Sequence, residues 1–293
     1  MTLKERLAGG RVLLSDGAWG TELAKKGFSA GDGCPELLNV ENPEILLEVA
    51  QSYVDAGSDI ILANTFGGSP FKLAKYGVDD RVEELNEAAV RISKRAAGDT
   101  AFVLGSIGPT GEFLAPLGTV TEEEMTAAFA RQVKAFAAGG ADGILVETMT
   151  DLGEITCALR AAKDNTNLPV ICSMTFDKGL KGFATMMGVK PADAARELTA
   201  AGADAVGSNC GNGIDNIIDI AAIMRPETDL PLWFKPNAGM PQLINGATVY
   251  GETPSAMAEK ASVLITTGAN IIGGCCGTTP EHIRLMRKVI DNL

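Results

Sequence analysis

Two cysteines stand side by side late in the chain, in Gly273-Gly274-Cys275-Cys276-Gly277, and a third, Cys210, closes Gly207-Ser208-Asn209-Cys210. Adjacent Cα atoms lie only about 3.8 Å apart, so Cys275 and Cys276 make no ordinary disulfide with each other. Each group ends an apolar run. Three thiolates gathered with a fourth position left open describe a catalytic zinc that takes up an incoming thiol. The competing fate of any cysteine is burial as a small hydrophobe. That fate suits Cys157, in a helical stretch, and Cys172, in a strand, and Cys34 has no metal-like setting. A single histidine, His282, follows Pro280-Glu281 and reads as a surface residue at a helix start. With one histidine, Ser-His-Asp, Cys-His and multi-histidine metal chemistry are nearly excluded.

Two carboxylates also end apolar runs: Asp16 after Leu13-Leu14-Ser15, and Glu147 after Ile144-Leu145-Val146. A carboxylate buried without a partner is costly. Asp16 fits a helix cap or an acceptor for a backbone N–H as well as it fits a ligand site. Glutamate caps helices weakly, so Glu147 suits a cationic amine on a substrate. The run Gly105-Ser106-Ile107-Gly108-Pro109-Thr110-Gly111 lacks the lysine of a P-loop and reads as a tight turn with close backbone approach. Trp19 and Trp233 fit either a ligand face or the core.

What must position these groups is a loose internal repeat. Gly57-Ser58-Asp59, Gly140-Ala141-Asp142, Gly202-Ala203-Asp204 and Gly268-Ala269-Asn270 each precede a short apolar run. Each copy predicts a helix end with a glycine cap, a turn and a strand. Four further strands are predicted at 11–16, 102–107, 169–175 and 231–235, and 122–138 has the apolar spacing of a helix. Eight strands alternating with helices predict an α/β fold, a single (β/α)8 TIM barrel with its active site at the strand C-terminal ends. No linker divides the chain, so residues 1–293 read as one domain. The long connections at 27–43 and 235–254 follow strands one and seven and lie over that same face. Residues 1–7 read as a short helix.

The 293 residues are 46% hydrophobic and 21% charged, with a net charge of −12. That balance argues against nucleic acid or an anionic membrane as partner. No run approaches a membrane span. Without an export signal, six cysteines predict reduced thiols in a cytoplasm.

Asp16-Gly17-Ala18-Trp19-Gly20-Thr21, Gly207-Ser208-Asn209-Cys210, Lys235-Pro236-Asn237-Ala238-Gly239 and Gly273-Gly274-Cys275-Cys276-Gly277-Thr278-Thr279-Pro280, in this order over nearly the whole chain, resemble the homocysteine-binding domain of zinc-dependent homocysteine S-methyltransferases. The resemblance implies that Cys210, Cys275 and Cys276 bind zinc, and that Asp16, the Gly17 backbone and Glu147 hold the amino-acid end of homocysteine. Asn237 matches a position that occupies the zinc in corrinoid-dependent relatives when substrate is absent. Asn64-Thr65-Phe66-Gly67 and Glu147-Thr148-Met149-Thr150-Asp151 resemble the first module of cobalamin-dependent methionine synthase. Betaine-using relatives have an aromatic residue where Thr148 stands, which puts a small-cation cage in doubt.

The expectation is therefore a cytoplasmic methyltransferase in which zinc-held homocysteine takes methyl from a methylcorrinoid, such as methylcobalamin, carried by a separate corrinoid protein, giving methionine. The alternatives are an S-methylmethionine-dependent enzyme, a corrinoid-system subunit using another thiol or methylated substrate, and a zinc-containing binding subunit without turnover.

Overall fold

The structure, a computed structural model, describes residues 1–28, 33–211, 213–244 and 247–293. Short apolar runs bounded by glycine and aspartate satisfy their backbone only by pairing. Eight do so here: β1 (Leu13–Leu14), β2 (Ile60–Leu62), β3 (Phe102–Ile107), β4 (Gly143–Met149), β5 (Val170–Met174), β6 (Ala205–Cys210), β7 (Leu232–Pro236) and β8 (Ile271–Ile272). All neighbours are parallel; β1 pairs β8, and a Ser15–Ile60 bridge joins β1 to β2, so the ring closes as a (β/α)8 barrel. The predicted strands lie within a residue or two of these, and the predicted helix is Glu122–Gly139, started by a Thr121/Glu124 capping box.

The repeat has one physical job performed four times. Asp59, Asp142, Asp204 and Asn270 precede the even-numbered strands. Their side chains accept the backbone N–H of Leu14, Val103, Val170 and Leu232 on the preceding odd strands, at 2.7–2.9 Å. Their own N–H groups donate back to the carbonyls of those same four residues. Each of the three carboxylates also holds a cation: Arg287 on Asp59, Lys94 on Asp142 and Lys163 on Asp204. Each pair stitches two strands at the bottom of the barrel.

One apolar cluster draws a residue from every strand, including Leu13, Leu62, Leu104, Leu145, Ile171 and Trp233, and therefore fills the barrel interior. Leu3, from the helix Leu3–Ala8, packs with it. A larger cluster lies between sheet and helices. Strand side chains alternate, so two residues beyond the interior layer come Ser106, Glu147, Ser173 and Lys235, stacked above it toward the mouth. At Gly207 the barrel is so tight that any Cβ would fall on the Trp233 carbonyl.

The predicted connection after β7 contains a hairpin, Pro241–Ile244 with Ala247–Tyr250, and its residues 245–246 lie outside the described ones. Residues 29–32 of the connection after β1 do likewise. Among the described residues no helix is long and apolar enough to cross a membrane.

Candidate metal centre

Cys210 ends β6, and Cys275 and Cys276 lie in the turn after β8, so the two ligand-bearing segments flank β7. The three thiol sulfurs all lie within 4.8 Å of one another. Zinc–sulfur bonds of about 2.3 Å put tetrahedral sulfurs about 3.8 Å apart, so this donor set fits zinc with only local adjustment. All three cysteines are half-buried, whereas Cys157 and Cys172 are buried in the apolar core as their sequence context predicts, and Cys34 is buried with its thiol against the Glu36 carboxylate.

The backbone holds the cluster rigidly. Cys275 donates its N–H to the Pro236 carbonyl at 2.8 Å, Gly274 to that of Asp16 at 2.9 Å, and Ala238 to that of Cys276 at 2.9 Å. Cys210 sits at φ 62°, a left-handed conformation that costs a non-glycine residue roughly 1–2 kcal/mol. Crowded thiols without a cation resist ionisation. The hydrogen bond with Cys210, together with burial, pushes the Cys275 thiol up to about 12. Cation binding reverses that balance by favouring thiolate.

Glu147 is 6% exposed and hydrogen-bonded by the Ser106 hydroxyl at 2.6 Å and by Asn209 Nδ2 at 3.3 Å. Burial raises its pKa above the ordinary carboxylate range, opposed by the Lys235 ammonium and the Ser106 hydrogen bond. Asp16 is wholly buried and fully engaged. Its Oδ2 accepts from the Leu62 N–H and Trp19 Nε1, both at 2.8 Å, and its Oδ1 from Lys235 Nζ at 2.6 Å. The backbone-acceptor role weighed for Asp16 is thus realised, and Asp16 also replaces a ladder bond at the β1–β2 seam. Gly17 packs so closely on Tyr53 and Thr278 that any Cβ there would clash with their side chains. Asn237 is 3% exposed; its Nδ2 donates to the Gly211 carbonyl, while its Oδ1 has no partner among the described residues. It sits one residue beyond Pro236, alongside Cys275.

Three site residues had no role assigned from the sequence. Lys235 is wholly buried between Asp16 and Glu147; burial opposes its charge, but the two carboxylates prevail and raise its pKa. A lysine following Leu232-Trp233-Phe234 at interior register was the available signal. Tyr250, on the hairpin, rests against Gly277, and Cys276 adds to the burial that raises its phenol pKa. Asn209 reaches both Glu147 and Cys275.

His282 is corrected by the structure: it is 4% exposed, not a surface group. Its Nδ1 accepts the Thr279 N–H in a capping box, and its Nε2 faces the Glu252 carbonyl. Trp233 is interior core rather than ligand-facing. The glycine-rich run that begins within β3 accommodates Phe136 and Phe66, which would clash with a Cβ at Gly105 and Gly108.

Fold and site together define a (β/α)8 barrel with a three-thiol cluster, able to hold a metal ion, at its mouth. The homocysteine S-methyltransferase family model matches residues 13–290, and the chain belongs to that family, whose members are methyltransferases. It is 30% identical over 300 residues to the methionine synthase of Mycobacterium tuberculosis, covering 97% of this chain and 25% of that protein. It is 31% identical over 291 residues to the methionine synthase of Mycobacterium leprae, covering 94% and 24%. The chain thus spans about a quarter of the length of these curated relatives. Among solved structures it is similar to the Escherichia coli homocysteine methyltransferase MmuM in metallated form, with TM-score 0.81, 26% identity and coverage of 98% and 99%. The apo form of MmuM superposes with TM-score 0.76 at 25% identity, covering 97% of both chains. The 3-dehydroquinate dehydratase of Geobacillus kaustophilus, 16% identical with TM-score 0.57, shares the fold alone.

Proposed function

We propose that this chain is a zinc-dependent thiol S-methyltransferase, one homocysteine-binding domain over residues 1–293, that moves a methyl group from a methylcorrinoid on a separate protein to homocysteine, giving methionine. The observation that carries the reading is the cluster of three thiols within 4.8 Å at the mouth of a barrel whose interior holds the buried Glu147. Cys210, Cys275 and Cys276 would hold zinc, which supplies the Lewis acidity that keeps an incoming thiol ionised at neutral pH. Asn237 Oδ1, a buried acceptor without a partner among the described residues, is the oxygen that would yield to substrate.

Glu147 receives the substrate ammonium, and the Gly17 backbone lines the same end. Asp16, saturated by Lys235, Trp19 and Leu62, keeps the Lys235 ammonium fixed beside Glu147 and so holds that carboxylate ready. The homocysteine sulfur then forms its bond to methyl as the donor–methyl bond breaks, and the bonding pair stays with the donor. Six free cysteines suit a reducing, cytoplasmic setting.

A protein-borne donor is supported by the rim. The loops after β2, β3, β5 and β7 expose Phe66, Phe113, Leu117, Met186, Met240 and Leu243 around the mouth. A rim of this composition suits a protein partner more than open water. The second reading, a small sulfonium donor such as S-methylmethionine, is favoured by the near-complete mutual coverage with MmuM.

The deciding assay follows corrinoid absorbance while zinc-loaded protein meets homocysteine and methylcobalamin, beside a parallel reaction with S-methylmethionine. Demethylation that needs both protein and homocysteine supports the corrinoid reading. Methionine formed only from S-methylmethionine selects the second. No transfer from either donor, with zinc coordination indifferent to homocysteine, leaves a binding subunit.

A further inference from the structure

The chain contains two non-glycine residues with positive φ among those described, Thr148 and Cys210, both at 62°. One wholly buried side chain touches both places. Asn209 immediately precedes Cys210. Its Oδ1 accepts the Thr148 N–H at 2.9 Å and the Ser173 hydroxyl at 2.7 Å. Its Nδ2 donates to Thr148 Oγ1 at 2.7 Å and Glu147 Oε2 at 3.3 Å, and points to Cys275 Sγ at 3.8 Å. Every polar atom of this amide is used, and its partners lie on β4 and β5 and in the turn after β8. A buried amide that is fully satisfied rigidifies what it joins. What it joins here are the carboxylate and the thiol cluster.

We infer that Asn209 is a positioning residue that sets the separation between Glu147 and the metal-ligating thiols, and thereby selects amino-acid thiols whose ammonium and sulfur match that separation. The inference rests on the reading that Glu147 takes the substrate ammonium while the cysteines hold the metal. It goes beyond that reading by assigning the yardstick to a residue that touches neither metal nor substrate.

Asn209→Asp isolates the effect. An aspartate keeps the oxygen that accepts from Thr148 and Ser173, which holds the backbone, but turns an anionic oxygen toward Glu147 in place of the N–H donor. The measured quantity is the affinity advantage of L-homocysteine over 4-mercaptobutyrate, the same thiol without the amine, by titration calorimetry on zinc-loaded protein. The inference expects that advantage to shrink at least tenfold in Asn209→Asp, with zinc stoichiometry and melting temperature held. A purely structural role would weaken both thiols together and leave their ratio unmoved.

Thr148→Gly supplies a second background should the single variant unfold, because glycine adopts φ 62° without strain; the ratio in Thr148→Gly with and without Asn209→Asp is then compared. An unchanged ratio, beside a wild type that does prefer homocysteine, overturns the Asn209 assignment alone. A wild type that binds both thiols equally, or neither, overturns the underlying reading of Glu147 and the metal and takes the inference with it.

Discussion

Glutamine at position 147 keeps the size of the side chain and most of its contacts but removes the charge proposed to meet the substrate ammonium. The Ser106 hydroxyl, 2.6 Å from Oε1, still has an acceptor in the amide oxygen. What is lost is a hydrogen bond between two charged groups, worth about 1.5–3 kcal/mol in proteins. That corresponds to a rise of about 10- to 150-fold in the dissociation constant of homocysteine. Burial of the site places the expected value toward the upper end, since little water is present to screen the interaction. Calorimetric titration of zinc-loaded Glu147→Gln measures it, with 4-mercaptobutyrate as a control whose affinity should not move. The pH dependence gives a second check. The pKa of Glu147 lies above the ordinary carboxylate range through burial, so the amine preference is present above that raised value and is lost as pH falls through it. The ratio of the two thiol affinities carries this acid limb in the wild type and should be flat in the variant. Because a raised carboxylate pKa favours folding most below the unfolded value and loses that contribution as pH rises through the folded one, Glu147→Gln should be no less stable than the parent at neutral pH. Equal homocysteine affinity in both proteins, or an acid limb that survives in the variant, removes Glu147 from the amine site.

Cys275→Ala should surrender zinc to a chelating dye at concentrations the parent withstands, and lose methyl transfer, while its far-ultraviolet circular dichroism is unchanged because Cys275 lies beyond the end of β8. Lys235→Met should cost about 3–5 kcal/mol in urea unfolding, since it strands the buried Asp16 carboxylate without its cation; a loss below 1 kcal/mol would show that the pair is dispensable to the fold. Gly207→Ala should destabilise by about 3 kcal/mol or more, because a methyl group there meets the β7 backbone rather than a side chain that could swing aside; a soluble variant with the parental melting temperature contradicts the packing described.

The barrel was legible because its repeat is chemical as well as periodic. A glycine that ends a helix, an aspartate that bonds the neighbouring strand, and an apolar run recur with little variation, and the strands follow. The thiol cluster was legible for a related reason: adjacent cysteines at a strand end are hard to explain as packing. The role of Lys235 was not, because a lysine at a strand end shows no partner until the fold sets the Asp16 and Glu147 carboxylates beside it. Asn209 was hidden by its neighbour, since an amide beside a cysteine carries no signal until its partners arrive from β4, β5 and the turn after β8. His282 was misread because capping boxes ordinarily place glutamate or glutamine three residues after the cap. An imidazole fills the role here, and its second nitrogen anchors the connection after β7.

The pairing of β1 with β8, Leu13 to Ile271 and Leu14 to Ile272, closes the ring, and the cysteine pair follows directly on the strand that makes this closure. Cys210 belongs to β6, and its two companions stand beside it only where β8 is docked against β7 and β1. A chain with β8 undocked therefore keeps Cys210 apart from the Cys275–Cys276 pair, and the three-thiol cluster does not exist. Uptake of the proposed zinc is in this way a receipt for a closed ring: during refolding, tight zinc binding should lag behind helix formation and coincide with docking of β8.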